Sequence, residues 1–357
     1  MKIMLHGATD CNSSNYGDFI YGEIIFQYLR QCGHEVCFYS PSNFFIKHIS
    51  GYKDIKPFTK KDADLIVYIP GGYFGEGHNA RFRDNLVQFF RFMPLGIWAS
   101  YKKKPLIVLG VGAGPNHNLA MNFGIKRICN CAQFVTVRDN ISYKALKHLC
   151  PHAPIIECGD LIITSTLRKK LSRQIEKIVD ISKKKKILLI HYNHDKTALK
   201  KFAECAHKFV EVHPDFHVVV SSDSIIENED IMFNTFNDIF KRECYHFKYK
   251  DPYEMTALLE RVDVVLTCKL HVGVVAAKLG KSVVVAACHP EKTKRFYDQI
   301  NESDRCLDLY KITDKELYKT LEHKYFDGIK IGREEIEKAK LTWKYLEHFL
   351  EEYNGKK

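Results

Sequence analysis

Continuous apolar runs of strand length, separated by helical stretches, constrain the fold of this chain more than any other feature. Residues 64–70 (Asp-Leu-Ile-Val-Tyr-Ile-Pro) and 105–111 (Pro-Leu-Ile-Val-Leu-Gly-Val) are almost entirely apolar. Strands that are apolar on both faces are typical of parallel sheets covered by helices on both sides. The sequence therefore predicts an α/β fold, and the pattern starts again near residue 186.

Each half of the sequence predicts its own set of alternating strands and helices. In the first half, strands are predicted at 2–6, 35–39 and 133–137, and helices at 19–32 and 141–149. In the second half, strands are predicted at 186–191, 216–221, 263–266 and 282–286, and helices at 196–212, 252–261 and 272–279. This pattern predicts two Rossmann-like domains that face a cleft, residues 1–175 and 176–357. The connection is expected within 164–186, and a long amphipathic helix at 333–353 is expected to close the second domain.

Length and composition agree with a globular two-domain protein. The chain has 357 residues, which is long for one core, and it is 45% hydrophobic and 27% charged. The apolar segment at its start is too short for a signal peptide, and no run reaches the roughly 18 apolar residues of a membrane span. We therefore expect a cytoplasmic protein whose twelve cysteines are reduced thiols.

The formal charge of +11 raises the question of an anionic partner. Lys and Arg occur in short runs that are typical of solvated helix ends, without an aromatic-basic RNA-binding signature or zinc-finger spacing. Nucleic acid is therefore not an expected partner. Two hypotheses remain, namely an anionic substrate, or an anionic inner-membrane face that carries a lipid-linked acceptor and holds the protein peripherally. Charge alone does not separate them.

The loops that follow predicted strands are the places to look for ligand contacts. Asn15, Tyr16, Gly17 and Asp18 precede the first helix, where helix capping and ligand contact are both open interpretations.

Glycine-rich turns follow two other predicted strands. Gly72 and Gly112 would let backbone come close to a ligand. The run 110–115 is similar to a dinucleotide fingerprint, but Pro115 disrupts the helix that would receive a pyrophosphate. A nicotinamide cofactor is therefore not expected.

Charged residues follow further strands in the first half. Arg138 comes directly after a strand, where a guanidinium can bind carboxylate or phosphate through two parallel hydrogen bonds or pair with Asp139, itself a natural cap for the next helix. Asp160 follows another strand and is either a cap or a catalytic carboxylate.

Lys269, His271 and Lys292 follow successive strands of the second half. They supply a cation, an imidazole at a helix start and a second cation, which suits a polyanionic substrate that must be both bound and protonated. A metal site is not expected, because Cys129-x-Cys131 lacks a second pair of ligands. A serine nucleophile elbow is also absent from the sequence.

Taken in order, these motifs resemble those of the polysaccharide pyruvyl transferases over roughly residues 10–300. The resemblance rests on 15–18, Gly71-Gly72, 110–115, 137–139 with Ser142, Gly159-Asp160, 269–271, and Lys292 with Phe296. One position departs from the family pattern, since Lys269 stands where the family usually has Arg, and the two differ in bidentate oxyanion binding.

The resemblance implies a glycosyltransferase-B-like fold and transfer of the enolpyruvyl unit of phosphoenolpyruvate onto a sugar as a cyclic ketal. Phosphoenolpyruvate would be a co-substrate, with no metal or organic cofactor. The residues implied to bind it are Arg138, Lys269, Leu270, His271 and Lys292.

The implied catalytic groups are an acid and a base. His271 is the candidate general acid or hydrogen-bond donor to departing phosphate, and either Asp18 or Asp160 is the candidate base. The residues at the acceptor loops would be Asn15, Tyr16, Gly17, Gly72 and Gly112. The expected acceptor is a galactose- or mannose-type sugar in a capsule, exopolysaccharide or cell-wall precursor.

Two alternatives stay open at the level of sequence. The first is a nucleotide-sugar glycosyltransferase of the same architecture, although the second half lacks the expected acidic pair for the ribose and donor sugar. The other is a non-catalytic module for anionic glycans or membranes, whose binding would depend strongly on salt. The sequence does not indicate the oligomeric state.

Overall fold

The computed structural model describes residues 1–9, 15–75, 82–192 and 195–355. The chain forms two compact units. The first unit comprises Met1–Asn12, Asp18–Thr166 and Arg333–Lys357, and the second comprises Ser13–Gly17 and Leu167–Gly332. The predicted boundary between residues 175 and 176 therefore lies at residues 166 and 167 in the structure. The segment Arg333–Lys357, predicted to be part of the second domain, belongs to the first unit.

The first unit is built on a parallel sheet. Its strands, among the described residues, are β1 (Lys2–His6), β2 (Glu35–Phe38), β3 (Leu65–Tyr68), β4 (Gly71–Phe74), β5 (Leu106–Ala113), β6 (Val135–Val137) and β7 (Ile155–Glu157). They lie in the order β2-β1-β3-β5-β6-β7, and β4 pairs with β5. The helices between them are α1 (Tyr16–Gln31), α2 (Asn43–His48), α3 (Phe82–Tyr101), α4 (Leu119–Cys131) and α5 (Asn140–Leu149).

The second unit repeats the arrangement with its own parallel sheet. Its helices are α6 (Arg173–Ser182), α7 (Lys196–Val212), α8 (Glu229–Phe240), α9 (Pro252–Arg261), α10 (Leu270–Lys278), α11 (Pro290–Gln299) and α12 (Asp314–Lys324). Its described strands are β8 (Lys186–His191), β9 (Phe216–Ser221), β10 (Cys244–Phe247), β11 (Val264–Thr267), β12 (Ser282–Ala287) and β13 (Cys306–Asp308). They lie in the order β10-β9-β8-β11-β12-β13, the strand order of a Rossmann fold.

The last helix, α13 (Arg333–Gly355), belongs to the first unit. It packs on a 3₁₀ helix at Leu161–Thr164, and Phe134 contacts the rings of Tyr345 and Phe349. The helix predicted at 333–353 is present, but it does not close the second domain, because its apolar side is buried against the first.

The α/β prediction is confirmed, and the strands 2–6, 186–191 and 216–221 have their predicted bounds. Two glycine motifs differ from expectation. Gly71 and Gly72 begin β4 and are not a turn, and Gly112 lies inside β5 and not in a loop after it. Gly110 has a φ of +54° at an irregularity of the β5–β6 pairing, which lets the strand continue past its predicted end.

Helices α1, α5 and α10 begin three, one and two residues earlier than predicted. Helix α1 starts at Tyr16, so Gly17 and Asp18 lie in its first turn, and α10 starts at Leu270. Within the described ranges, no helix is both long enough and apolar enough to cross a membrane.

Gly159 is expected to be essential for the docking of α13. A Cβ on this residue would lie 2.8 Å from the backbone nitrogen of Ala339 in α13. Gly159→Ala should therefore shift the helix and lower the free energy of unfolding by about 1–3 kcal/mol, measured by urea denaturation. Gly332→Ala is the control, because a Cβ there meets nothing within 4 Å. Equal stability of the two variants would contradict the prediction.

Candidate active site

The centre of the second sheet brings the carboxyl ends of β8 and β11 together. His191, the last residue of β8, pairs in register with Thr267, the last residue of β11. The strand order reverses between these two strands, because β9 and β10 lie on one side and β12 and β13 on the other. Ligands of open α/β sheets bind at such reversals, beyond the carboxyl ends of the strands. His191 and the residues after Thr267 therefore lie where a substrate is expected.

Lys269, Leu270 and His271 form the start of α10 at this point. Lys269 is the N-cap residue, and Leu270 and His271 are the first two helical residues. All three are half-buried. The backbone N–H groups of a first helical turn carry partial positive charge, which adds to the charge of the Lys269 ammonium group. This end of the sheet therefore favours an anion beside the imidazole.

A chain of hydrogen bonds connects His191 to the backbone of Lys269. The N–H of Lys269 donates to Oγ1 of Thr267 at 3.0 Å, and Oγ1 lies 2.9 Å from Nδ1 of His191. Nε2 of His191 lies 3.5 Å from Oδ1 of Asp223. A carboxylate can only accept, so Nε2 is the nitrogen of His191 that carries a proton towards Asp223. The chain orients the turn that carries Lys269.

Asp223 is the buried negative charge of this site. Burial by itself would raise the pKa of its carboxyl group. The hydrogen bonding and charge of His191, together with the charges of Lys269 and His271, lower the pKa by more than burial raises it. The pKa is lowered to about 2. Asp223 is therefore ionised at neutral pH, and its charge stabilises the cationic groups around it.

The N-terminal segment of the second unit is held by the same aspartate. Nδ2 of Asn15 donates to Oδ2 of Asp223 at 3.3 Å, and the N–H of Tyr16 donates to its backbone carbonyl at 2.9 Å. The ring of Tyr16 is fully buried, with its hydroxyl 2.8 Å from Oγ1 of Thr256. Tyr16 therefore anchors this segment through its side chain, and the backbone of Gly17 comes next to the His271 ring.

Gly17 lies directly against the imidazole of His271. A Cβ on Gly17 would collide with Nδ1 and Cγ of that ring. The absence of a side chain at position 17 is therefore a steric requirement of the observed imidazole position.

Lys292 lies in the first turn of α11, the helix that follows β12. It is half-buried. Since β12 pairs with β11 in register, α10 and α11 begin after neighbouring strands, as the sequence predicted for these two cationic segments.

The first unit has its own buried charged group after β6. Nη1 of Arg138 lies 3.5 Å from the hydroxyl of Tyr21, and that hydroxyl donates to Oδ2 of Asp160 at 2.6 Å. Burial raises the pKa of Tyr21, with a further contribution from Asp160, so the phenol stays neutral and acts as a donor. Asp139 caps α5 as predicted, accepting from the N–H of Ser142 at 2.7 Å.

Asp160 is engaged through both carboxylate oxygens. Oδ1 accepts from the N–H of Ile162 at 3.0 Å, and Oδ2 accepts from Tyr21. Burial raises the pKa of its carboxyl group, although Arg138 and Tyr21 act in the opposite direction. Asp18, the other candidate base, lies in the first turn of α1 and is half-buried.

The two glycines predicted to approach a ligand have different surroundings. A Cβ on Gly112 would lie 3.0 Å from Nη2 of Arg138, so this glycine makes room for the guanidinium. Gly72 is the second residue of β4 and is half-buried.

Asp223 and Tyr21 were not among the residues predicted from sequence, and His191 was not assigned a role. A signal for two of them was present. His191 ends a predicted strand, and Asp223 lies two residues after another, so the rule that directed attention to strand ends applies to both. Within the described ranges, no group of three or more His, Cys, Asp or Glu side chains is arranged to hold a metal ion.

Comparisons with known proteins identify a family. The model of the family described as polysaccharide pyruvyl transferase matches residues 15–290, more than half of the chain. The match includes Asn15 to Asp18, Arg138, Asp160 and 269–271, and it ends just before Lys292. No curated protein sequence matches the chain significantly.

Two solved structures with a similar fold contain UDP-GlcNAc or UDP. The UDP-GlcNAc 2-epimerase of Neisseria meningitidis, bound to UDP-GlcNAc, aligns with a TM-score of 0.63 and 13% identity over 98% of this chain and all of that one. S. aureus MnaA with UDP aligns with a TM-score of 0.64 and 13% identity, over 99% of this chain and 97% of that one. At this identity the likeness shows the fold alone, and it confirms two Rossmann-like domains of the glycosyltransferase-B type.

Gly17→Ala is expected to displace the His271 ring. Because the added methyl group would overlap Nδ1, either the ring or the start of α1 must move, at a cost of about 1–3 kcal/mol in unfolding free energy. Changed ¹⁵N ring shifts of His271 in histidine NMR spectra would report the displacement. Gly332→Ala should leave the spectrum unaltered. An unaltered His271 signal in Gly17→Ala would contradict the packing argument.

Asp223→Asn is expected to change how stability depends on pH. The pKa of Asp223 lies near 2 in the folded chain against an ordinary 3.8, so its stabilisation is complete above 3.8 and is lost as the pH falls towards 2. The variant should be about 2 kcal/mol less stable than wild type at neutral pH, with a difference that shrinks in acid. Urea unfolding at several pH values measures this. Asp238→Asn, at an exposed position, is the control. A stability difference for Asp223→Asn that does not change with pH would contradict the lowered pKa of Asp223.

Proposed function

The chain belongs to the polysaccharide pyruvyl transferase family, and we propose that it moves the enolpyruvyl unit of phosphoenolpyruvate onto two hydroxyls of a sugar as a cyclic ketal. The observation that carries the proposal is the grouping of Lys269 and His271 at the strand reversal of the second sheet, beside the buried carboxylate of Asp223. Such a site suits a dianionic substrate that must also receive a proton.

The proposed reaction forms two carbon–oxygen bonds and breaks one. Both sugar oxygens bond to the carbon that carried the phosphate, and the bond from that carbon to the phosphate oxygen breaks. The methylene carbon gains a proton and becomes a methyl group. The two hydroxyl protons balance this proton and the one that leaves with phosphate.

Within the second unit, each cationic group has a role in the proposal. Lys269 and Lys292 hold the carboxylate and phosphate, and the N–H groups at Leu270 and His271 add hydrogen-bond donors. His271 delivers the proton to the methylene carbon or donates a hydrogen bond to departing phosphate. Arg138 of the first unit stays a predicted ligand of phosphoenolpyruvate.

Of the two candidate bases, we favour Asp18. Asp160 is buried, and both of its oxygens already accept hydrogen bonds within the protein. A base must reach the hydroxyl proton that it removes, so a half-buried carboxylate at a helix start is better suited. We propose a galactose- or mannose-type sugar of a polysaccharide precursor as the acceptor.

The reaction can be tested with purified protein, phosphoenolpyruvate and aryl β-galactosides or mannosides. We expect phosphate release and an acceptor that gains the mass of a pyruvate ketal. His271→Ala should lower kcat/KM by on the order of 10²–10⁴-fold, since proton transfer is lost. Product on no acceptor, with a thermal shift by nucleotide sugars and none by phosphoenolpyruvate, would favour a glycosyltransferase instead.

Substitutions of Lys269 are expected to separate charge from geometry. Lys269→Met should raise the KM for phosphoenolpyruvate roughly 10–100-fold, because a charge-assisted hydrogen bond is lost. Lys269→Arg keeps the charge and restores the residue that the family usually has, so its KM should stay within about tenfold of wild type. Lys200→Met, at an exposed position of α7, is the control. An unchanged KM in Lys269→Met would remove Lys269 from the substrate site.

A further inference from the structure

Helix α3 of the first unit exposes apolar side chains along one stripe. Val87, Phe90 and Tyr101 are 59%, 70% and 67% exposed, and Pro94 between them is also exposed. These positions recur at intervals of three, four and seven residues, so they lie on one side of the helix. The opposite side, which includes Phe92 and Leu95, is buried in the core. Helix α3 therefore carries apolar side chains on its exposed side as well as on its buried side.

Helix α4 continues this surface. Leu119 is 84% exposed and Phe123 is 51% exposed. The two helices pack closely, because a Cβ on Gly124 would lie 2.5 Å from Met93 and one on Gly96 would lie 2.5 Å from Ile128. Residues 93 and 96 of α3 lie beside residues 124 and 128 of α4, so the two helices run parallel. The exposed apolar residues Val87, Phe90, Leu119 and Phe123 lie in the N-terminal halves of the two helices. Val87, Phe90, Pro94, Leu119 and Phe123 form what we call the α3–α4 surface.

The charges that helices α3 and α4 and the Lys run after α3 carry are nearly all positive. Residues 82–104 and 119–131 contain seven Lys and Arg residues against one acidic residue, Asp84. Four of the seven lie within about one helical turn in sequence of a residue of this surface, namely Arg83, Arg91, Lys126 and Arg127, and the other three follow the C-terminal end of α3. Arg127 lies over the ring of Tyr101, with 4.7 Å between the guanidinium carbon and the ring centroid. An exposed apolar patch bordered by cations is the combination that binds the interface of an anionic bilayer.

The same charges argue against a second copy of this chain as the occupant. A symmetric dimer through this surface would bring two positive borders together, whereas anionic lipid headgroups neutralise them. We propose that the α3–α4 surface docks the first unit on an anionic phospholipid bilayer. The apolar side chains enter the headgroup region, and the Lys and Arg side chains contact lipid phosphates.

The α3–α4 surface lies near the carboxyl edge of the first sheet, so docking would bring this edge close to the bilayer. Helices α3 and α4 follow β4 and β5, so their N-terminal ends lie at the carboxyl edge of the first sheet, the edge where Arg138 follows β6. If the proposed function holds, that edge would be near sugars carried on membrane lipids. Docking itself does not depend on the reaction.

Sedimentation with vesicles tests the proposal, with phosphatidylcholine vesicles prepared with and without phosphatidylglycerol. We expect binding to the anionic vesicles that weakens with salt, and little binding to phosphatidylcholine alone. The double variant Val87→Ser with Phe90→Ser should bind roughly 10–100-fold more weakly. The matched control, Val212→Ser with Ile231→Ser, removes side chains that are 60% and 65% exposed in the second unit and should bind as wild type does.

Three results would contradict docking through the α3–α4 surface. Equal binding by the double variant and wild type, or an equal loss in the control, would overturn it. A dimer in sedimentation velocity that the double variant abolishes would assign the surface to a second copy instead. Pyruvyl transfer to a soluble aryl glycoside should be unchanged in the double variant, so failure of docking and failure of the proposed function are separate results.

Discussion

The buried carboxylate of Asp223 is the interaction on which the candidate site depends. A buried charge is strongly unfavourable unless opposite charges and hydrogen bonds compensate for it. Here the compensation comes from His191, Lys269 and His271, and Asn15 contributes a hydrogen bond. These groups come from the end of β8, from the start of α10 and from the segment that holds Asn15, so the aspartate connects separate parts of the second unit. The ionisation of Asp223 and the position of the His191 imidazole therefore depend on each other.

The first unit follows a similar principle with the signs exchanged. There a buried guanidinium, Arg138, is compensated by Tyr21 and Asp160. Gly112 inside β5 and Gly17 in α1 leave room for the guanidinium and for the His271 imidazole, respectively. Glycine is required at these two positions because polar side chains pack directly against the backbone there.

The fold by itself does not decide the chemistry. The two neighbouring structures that contain UDP-GlcNAc or UDP have the same two-domain architecture at 13% identity. Function in such folds depends on the residues placed at the strand ends. In this chain those residues are cations and an imidazole near one buried carboxylate. The α3–α4 surface contains none of the candidate site residues, and its proposed role is to dock the first unit on a bilayer.

Sequence alone determined the α/β class, the bounds of β8, β9 and α7, and the family, because buried parallel strands are continuous apolar runs and the motifs follow them. It also placed Lys269 and His271 at a strand end. Only the tertiary structure showed that Asn15 bonds to Asp223, 208 positions away, that Gly72 lies in a strand, and that α13 returns to the first unit. These features depend on which distant segments share a sheet edge or a packed side, and local sequence patterns carry no information about such pairings.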